Sequence, residues 1–234
     1  PESYRAEYGA EEAACDILRL HHITPDDAGD GGDNTPARGV RLHAIGRDGE
    51  SGLRLKVYQH GGNLALSDAV PALENFGFLV LGEYPVALSG GWSGTIHDFT
   101  LVLKAKGRVA GLTVRMEEVE TAIAAVLDGQ AENDPFNRLV IGVGLGQDEA
   151  GWLRALFRYL RQGSVAYLMH TAVDALERAA GVARALVALF RARHDPAFAQ
   201  RRDEAEVAAR AAIRDGLARV SAINEDRILR LFES

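Results

Sequence analysis

Apolar and polar residues alternate over 53–58. Leu53, Leu55 and Val57 take one parity; Arg54, Lys56 and Tyr58 take the other. A period of two is that of a half-buried strand, so the second set is expected on a polar face. Gly61-Gly62 breaks the run. Ser67 or Asp68 can cap a following helix, because a short side-chain oxygen accepts from an orphan first-turn N–H. Pro71 falls in or near that first turn, where a missing N–H costs least. Val70, Leu73 and Phe76 share a face, and Gly77 is a good stop. Segments 78–87 and 95–104 read as two more strands. A β-loop-α-β-β run predicts a sheet face covered by a helix, the layering of an α+β domain.

The flanks extend this unit. Residues 40–46, VRLHAIG, give a further strand, and Asp48-Gly49 supplies a turn back onto 53–58. The pattern at 114–128 predicts a second helix with Val119, Ile123, Val126 and Leu127 facing the sheet. Ahead of the strands, residues 10–20 read as a helix with Ala14, Ile17 and Leu18 on one face, and 21–38 as a Gly/Asp/Pro-rich linker. After Gly129 the pattern is helical throughout. Asp134-Pro135 is a cap followed by a first-turn proline, which assigns FNRLVIGV to helix although its composition suits a strand. Residues 148–162 place Trp152, Leu153, Leu156, Phe157 and Leu160 on one face and Arg154, Arg158 and Arg161 on the other. Further helices follow at 165–179 and 182–193, with a charged one from about 200 to 222. Asn224 can cap a last helix whose apolar stripe is Ile228, Leu231 and Phe232, a stripe expected to dock on something in this chain or beyond it. Three regions result: an N-terminal helix and disordered linker (1–38), an α+β module (39–129) and a helical domain (130–234).

Composition narrows the function classes. A net charge of −7 argues against generic nucleic-acid binding, which needs a basic surface. No apolar run approaches the roughly 18 residues of a membrane span, and no signal peptide is visible. The single cysteine, Cys15, excludes an internal disulfide and a thiolate metal cage, and reads as a small half-buried helix residue. Pro1 in place of Met suggests an internal fragment or a trimmed chain.

Several motifs invite a chemistry that their details refuse. Gly142-Val143-Gly144-Leu145-Gly146 resembles a dinucleotide loop, but the third required position is Gln147 or Glu149. A break between helices is the better reading. DDAGDGGDN suggests a calcium loop; counted from Asp26, the third and twelfth positions are Ala28 and Ala37, which cannot ligate. His97 and Asp98 are adjacent on a strand and point to opposite faces, so they cannot form a dyad. His97 reads as a structural histidine at the core's edge, and the other histidines, His21-His22 included, lack metal-ligand spacing. The Arg154/Arg158/Arg161 stripe is the wet face of a helix or, in a sharper reading, an intersubunit or interdomain contact.

RLKVYQHGG, LSDAVPALENFGFLVLGE and IHDF, followed by AENDPFNRLV, LRALFRYLRQ, ALVALFRARHDP and INEDRILRLF, together resemble the large NAD-specific glutamate dehydrogenases of bacteria. Within that resemblance the loop-helix-strand stretch looks like an ACT-type module, a ferredoxin-like antiparallel sheet that often senses amino acids. The family's proteins are several times longer, so the resemblance implies an internal segment ahead of the catalytic domain. It implies NAD in the parent enzyme and none here, a cytoplasmic setting, and as partners the catalytic domain of the same polypeptide and neighbouring subunits. An ACT module ends on a strand beside its first; the strand at 40–46 is expected to fill that place. In many ACT proteins the loop matching His60, Gly61, Gly62, Asn63 and Leu64 contacts an amino-acid effector. Glycine lets a ligand approach the backbone, and a helix start favours a carboxylate. This loop departs from the usual Asp-x-Pro-Gly pattern. No catalytic residue carries over: Lys56, Lys104 and Lys106 lie on or at the end of strands, away from any Gly-rich substrate loop. The expected function is a non-catalytic regulatory or assembly segment. The alternative is a free-standing amino-acid-sensing module with a helical output domain.

Overall fold

The computed structural model describes residues 2–23, 38–45, 52–61, 64–88, 94–104, 112, 114–163 and 166–233. The chain divides into two compact units, Pro1–Asn133 and Asp134–Ser234.

In the first unit, α1 (Glu2–Glu7) and α2 (Ala10–His22) precede β1 (Arg38–Ile45) and β2 (Gly52–His60). Then come α3 (Leu66–Asn75), β3 (Phe78–Leu88), β4 (Gly94–Leu103) and α4 (Met116–Leu127). The sheet order is β1-β2-β4-β3, antiparallel throughout. β1 pairs with β2 from Arg38↔Gln59 to Ile45↔Gly52, and so occupies the place of a ferredoxin-like sheet's last strand. Among the described residues no strand follows 129. One sheet face is apolar. Leu53, Leu55, Val57, Phe99 and Leu101 are sealed from solvent there, as are Leu73 of α3 and Ile123 of α4. Each such side chain contributes roughly 1.5–3 kcal/mol relative to exposure. α3 ends at Gly77, whose φ of 94° is open to glycine at little cost.

Three local expectations change. α3 starts one residue earlier than Ser67: the Ala65 carbonyl accepts from both Asp68 and Ala69, so Ser67 and Asp68 sit inside the first turn and Pro71 inside the helix. α2 is rotated from the expected orientation. Ile17 and Leu18 are 56% and 61% exposed, and Cys15 is exposed, whereas Asp16 and Leu20 are buried. The reason lies in the sheet's second face, which is polar and draws the carboxylates of α2 inward. α1 and α2 therefore belong to the sheet unit, while residues 24–37, with the rest of the expected linker and the calcium-like run, lie outside the described residues.

β1 is a sheet edge, and its outward groups are answered by side chains. Glu120 of α4 accepts from Leu42 N–H at 2.8 Å and from Arg19 at 3.0 Å, and Arg19 reaches Val40 O at 3.4 Å. Glu120→Ala takes the partner from a buried N–H. We expect a loss of about 1–3 kcal/mol, read as a lower urea midpoint at unchanged slope.

The second unit is helical. A 3₁₀ turn (Pro135–Asn137) leads into α5 (Arg138–Gly142), followed by α6 (Gln147–Gln162), α7 (Met169–Arg178) and α8 (Ala180–His194). α9 (Arg202–Leu217) and α10 (Ile223–Glu233) complete it. Asp134 caps the entry by accepting from Phe136 N–H at 2.9 Å, so the caps outweigh the strand-like composition of 136–143. The Gly142–Gly146 run is a break between helices: Gly144 has φ 81°, and Glu149 folds back to accept from Gly146 N–H at 2.8 Å. Asn224 is not a cap, since α10 already begins at Ile223. Phe157 stands between Phe136 and Phe232, with ring centroids 5.7 and 6.5 Å away.

Candidate functional site

The loop after β2 is built from a strand end and a helix start. Gln59 is fully buried, and its side-chain amide donates to Gly61 O at 2.8 Å. Arg38 holds the other end of that amide, with Nε 3.3 Å from Oε1. Gly61 has φ 65°, a left-handed conformation that a branched residue tolerates poorly. Leu64 is buried and anchors the chain before α3, and the N-cap residue Ala65 supplies no side-chain cap. Gly62 and Asn63 lie outside the described residues. By register His97 is three residues along β4 from Gly94, the partner of His60. His97 is buried; Nδ1 is 2.9 Å from Glu83, and Nε2 has no partner among the described residues.

A second constellation, on the polar face of the sheet, was not legible as a site. Lys56 is fully buried, not solvated, with Nζ 2.7 Å from both Asp16 and Glu12 of α2. Asp16 also accepts from Tyr58 and Tyr4, each at 2.6 Å. Arg41 bonds Glu12 at 2.7 Å and stands 3.7 Å from Asp16. Asp98 accepts from Arg54 at 3.0 Å and from Tyr8 at 2.7 Å. His97 faces away from this cluster, as strand alternation requires. Burial, then bonding to carboxylates, holds the Tyr4, Tyr8 and Tyr58 phenols above the usual tyrosine range, so they remain donors. The available signals were the i, i+4 acids Glu12 and Asp16, with Tyr8 and Leu20 on the same stripe.

Glu12 gives this cluster a pH signature. Burial pushes its carboxyl up, but hydrogen bonds from Lys56 and Arg41, with their charge, outweigh it and lower the pKa from 4.5 to about 2. A folded-state pKa below the unfolded one stabilises above the unfolded value and is lost as pH falls through the folded one. Stability should therefore drop between about pH 4.5 and 2, by roughly 1–2 kcal/mol once solvent screening is allowed for. Glu12→Gln should remove that part of the acid dependence in urea titrations.

Two family models match the chain: "Glutamate dehydrogenase, ACT3 domain" over residues 38–114 and "Glutamate dehydrogenase, helical motif 3" over 131–196. The chain is 37% identical to the NAD-specific glutamate dehydrogenase of Pseudomonas aeruginosa over 79% of its own length and 12% of that protein's. It is 32% identical to that of Halomonas elongata over 99% of itself and 14% of the relative. For Mycobacterium tuberculosis the values are 30%, 100% and 14%. The chain belongs to the NAD-specific glutamate dehydrogenase family. It spans about an eighth of the length of these relatives.

Within this glutamate dehydrogenase segment, the loop at 60–64 falls in the ACT3 match and the arginine stripe in helical motif 3. The stripe is not one wet face. Arg154 is buried, with Nε 2.7 Å from Asp134 and Nη2 2.7 Å from Asn137. Arg158 and Arg161 are exposed, Arg158 reaching Asp134 only at 3.9 Å. Ile228 and Phe232 are buried and Leu231 half-buried, so that stripe docks inside the helical unit. Of the lysines, Lys104 lies 3.9 Å from Glu74 at the surface, and Lys106 is outside the described residues. No helix is long and apolar enough to cross a membrane among the described residues.

Proposed function

We propose that this chain is a non-catalytic regulatory and assembly segment of an NAD-dependent glutamate dehydrogenase. The parent enzyme would deaminate L-glutamate oxidatively to 2-oxoglutarate and ammonia with NAD. The observation that carries the reading is the match of the ACT3 model to a four-stranded sheet whose Lys56 and Arg54 are engaged by Asp16 of α2 and by Asp98. A catalytic lysine needs access; Lys56, fully buried and gripped by two carboxylates, offers none. The segment's partners would be the catalytic domain of the same polypeptide and neighbouring subunits, which Arg158 and Arg161 could contact.

An amino-acid effector would bind at His60, Gly61, Gly62, Asn63 and Leu64. Gly61 gives backbone access there, and the start of α3, whose N-cap Ala65 has no side-chain acceptor, offers donors to a carboxylate. Asp68, exposed in the first turn of α3, would favour the effector's ammonium over a second anionic group. Thermal unfolding of the chain with a panel of amino acids, 2-oxoglutarate and NAD tests this. An effector at about 100 times its Kd stabilises by roughly 2.7 kcal/mol, moving the midpoint by roughly 5–10 °C. The expected result is a shift with one amino acid and none with NAD. NADH formation from glutamate by the chain alone would contradict the non-catalytic reading.

A further inference from the structure

The two faces of the sheet are closed by different physics. The α3/α4 face is sealed by fully buried leucines, valines and phenylalanines. The α1/α2 face has an apolar cluster of Tyr8, Leu20, Tyr58, Val86 and Ile96, with Tyr4, Ile23 and Leu88 packed against it, and beside it lies the ionic cluster. The strands bring to that face three cations, Arg41, Arg54 and Lys56, against one carboxylate, Asp98. α2 brings two carboxylates one helical turn apart, Glu12 and Asp16, and all its ion pairs to the strands run through them. On the outer side of α2, Ile17 and Leu18 are exposed.

Buried ion pairs contribute little net free energy, because desolvating the charges offsets most of their attraction. Segments with few buried apolar contacts open below the global unfolding free energy. The sheet with α3 and α4 is already a closed apolar layer pair, whereas α1–α2 is held by the ionic cluster together with a smaller apolar one.

We propose that α1–α2 is a separately opening acidic cap on a cationic docking face. The face of Arg41, Arg54, Lys56 and Tyr58 recognises a helix that carries carboxylates at i and i+4. Residues 2–22 are its occupant, with Asp16 as the latch: its two oxygens take Lys56, Tyr58 and Tyr4 together. Opening uncovers the cations while the sheet stays folded. This inference stands independently of the glutamate dehydrogenase reading.

Amide hydrogen exchange of the whole chain tests it. The amides of Asp16–Leu20, away from the fraying ends of α2, should exchange about tenfold or more faster than those of Leu53–Tyr58 and Ile96–Leu101. Asp16→Asn keeps the size of the side chain and removes its charge. It should speed the α2 amides a further tenfold or so and leave the strand amides within about twofold, as expected of a local opening. Equal protection of α2 and the strands in the unaltered chain overturns the proposal without any variant. So does an Asp16→Asn effect that is equal on both sets, or absent from α2.

Discussion

Arg154→Ala should destabilise the helical unit by about 3–5 kcal/mol, the cost of removing one partner from a buried ion pair. Arg154 is 6% exposed, and its guanidinium bridges Asp134 and Asn137 at 2.7 Å each. Asp134 is also the cap for the entry of this unit, through Phe136 N–H. Losing Arg154 leaves that carboxylate desolvated, with Arg158 at 3.9 Å as its nearest remaining cation partner. Arg154→Lys should recover only part of the loss, because an ammonium cannot span both acceptors as a planar fork does. Arg161→Ala, at an exposed position, should stay within about 0.5 kcal/mol. Urea unfolding followed by Trp152, whose ring lies 5.0 Å from Phe190, reads the difference. Equal, small effects at Arg154 and Arg161 would mean that the buried network carries no weight.

The other large effect belongs to Phe157→Ala, at about 3–5 kcal/mol, where lost transfer free energy and a residual cavity add. Phe157 is 1% exposed and joins α6 to the 3₁₀ turn through Phe136 and to α10 through Phe232. Phe157→Leu keeps most of the volume and should cost less than half as much. Because the ring ties α10 to the unit, Phe157→Ala should also raise proteolysis of the segment after Ala222. A loss below about 1 kcal/mol would mean that the helices repack around the gap.

The sheet was readable because one of its faces is apolar. Leu53, Leu55 and Val57 mark that face by parity alone, and Gly77 marks the end of α3 by its backbone conformation. Asp134-Pro135 fixed the helical start of the second unit against a strand-like composition. The polar parity misled. Arg54, Lys56 and Tyr58 read as a wet face because hydrophobicity cannot distinguish water from a matching layer of carboxylates. The same blindness gave α2 an apolar face of Ala14, Ile17 and Leu18, which is exposed, and put Arg154 among solvated arginines. Each error concerns a charge paired with a residue distant in sequence, 40 positions for Asp16 and Lys56 and 20 for Asp134 and Arg154. A local pattern cannot supply such a partner. The loop at 60–64 was legible as a feature through its glycines, while its function rests on family resemblance.

Steady-state kinetics of the full-length enzyme carrying Gly61→Val test the central claim most directly. Valine at φ 65° strains this loop and blocks backbone access without touching the ionic cluster or the helical unit. The account predicts that kcat for glutamate oxidation stays within about twofold while the response to an amino-acid effector is lost, as for a site that biases a distant reaction. A fall in kcat of about a hundredfold in a correctly assembled enzyme would contradict it, since the loop would then take part in the chemistry itself.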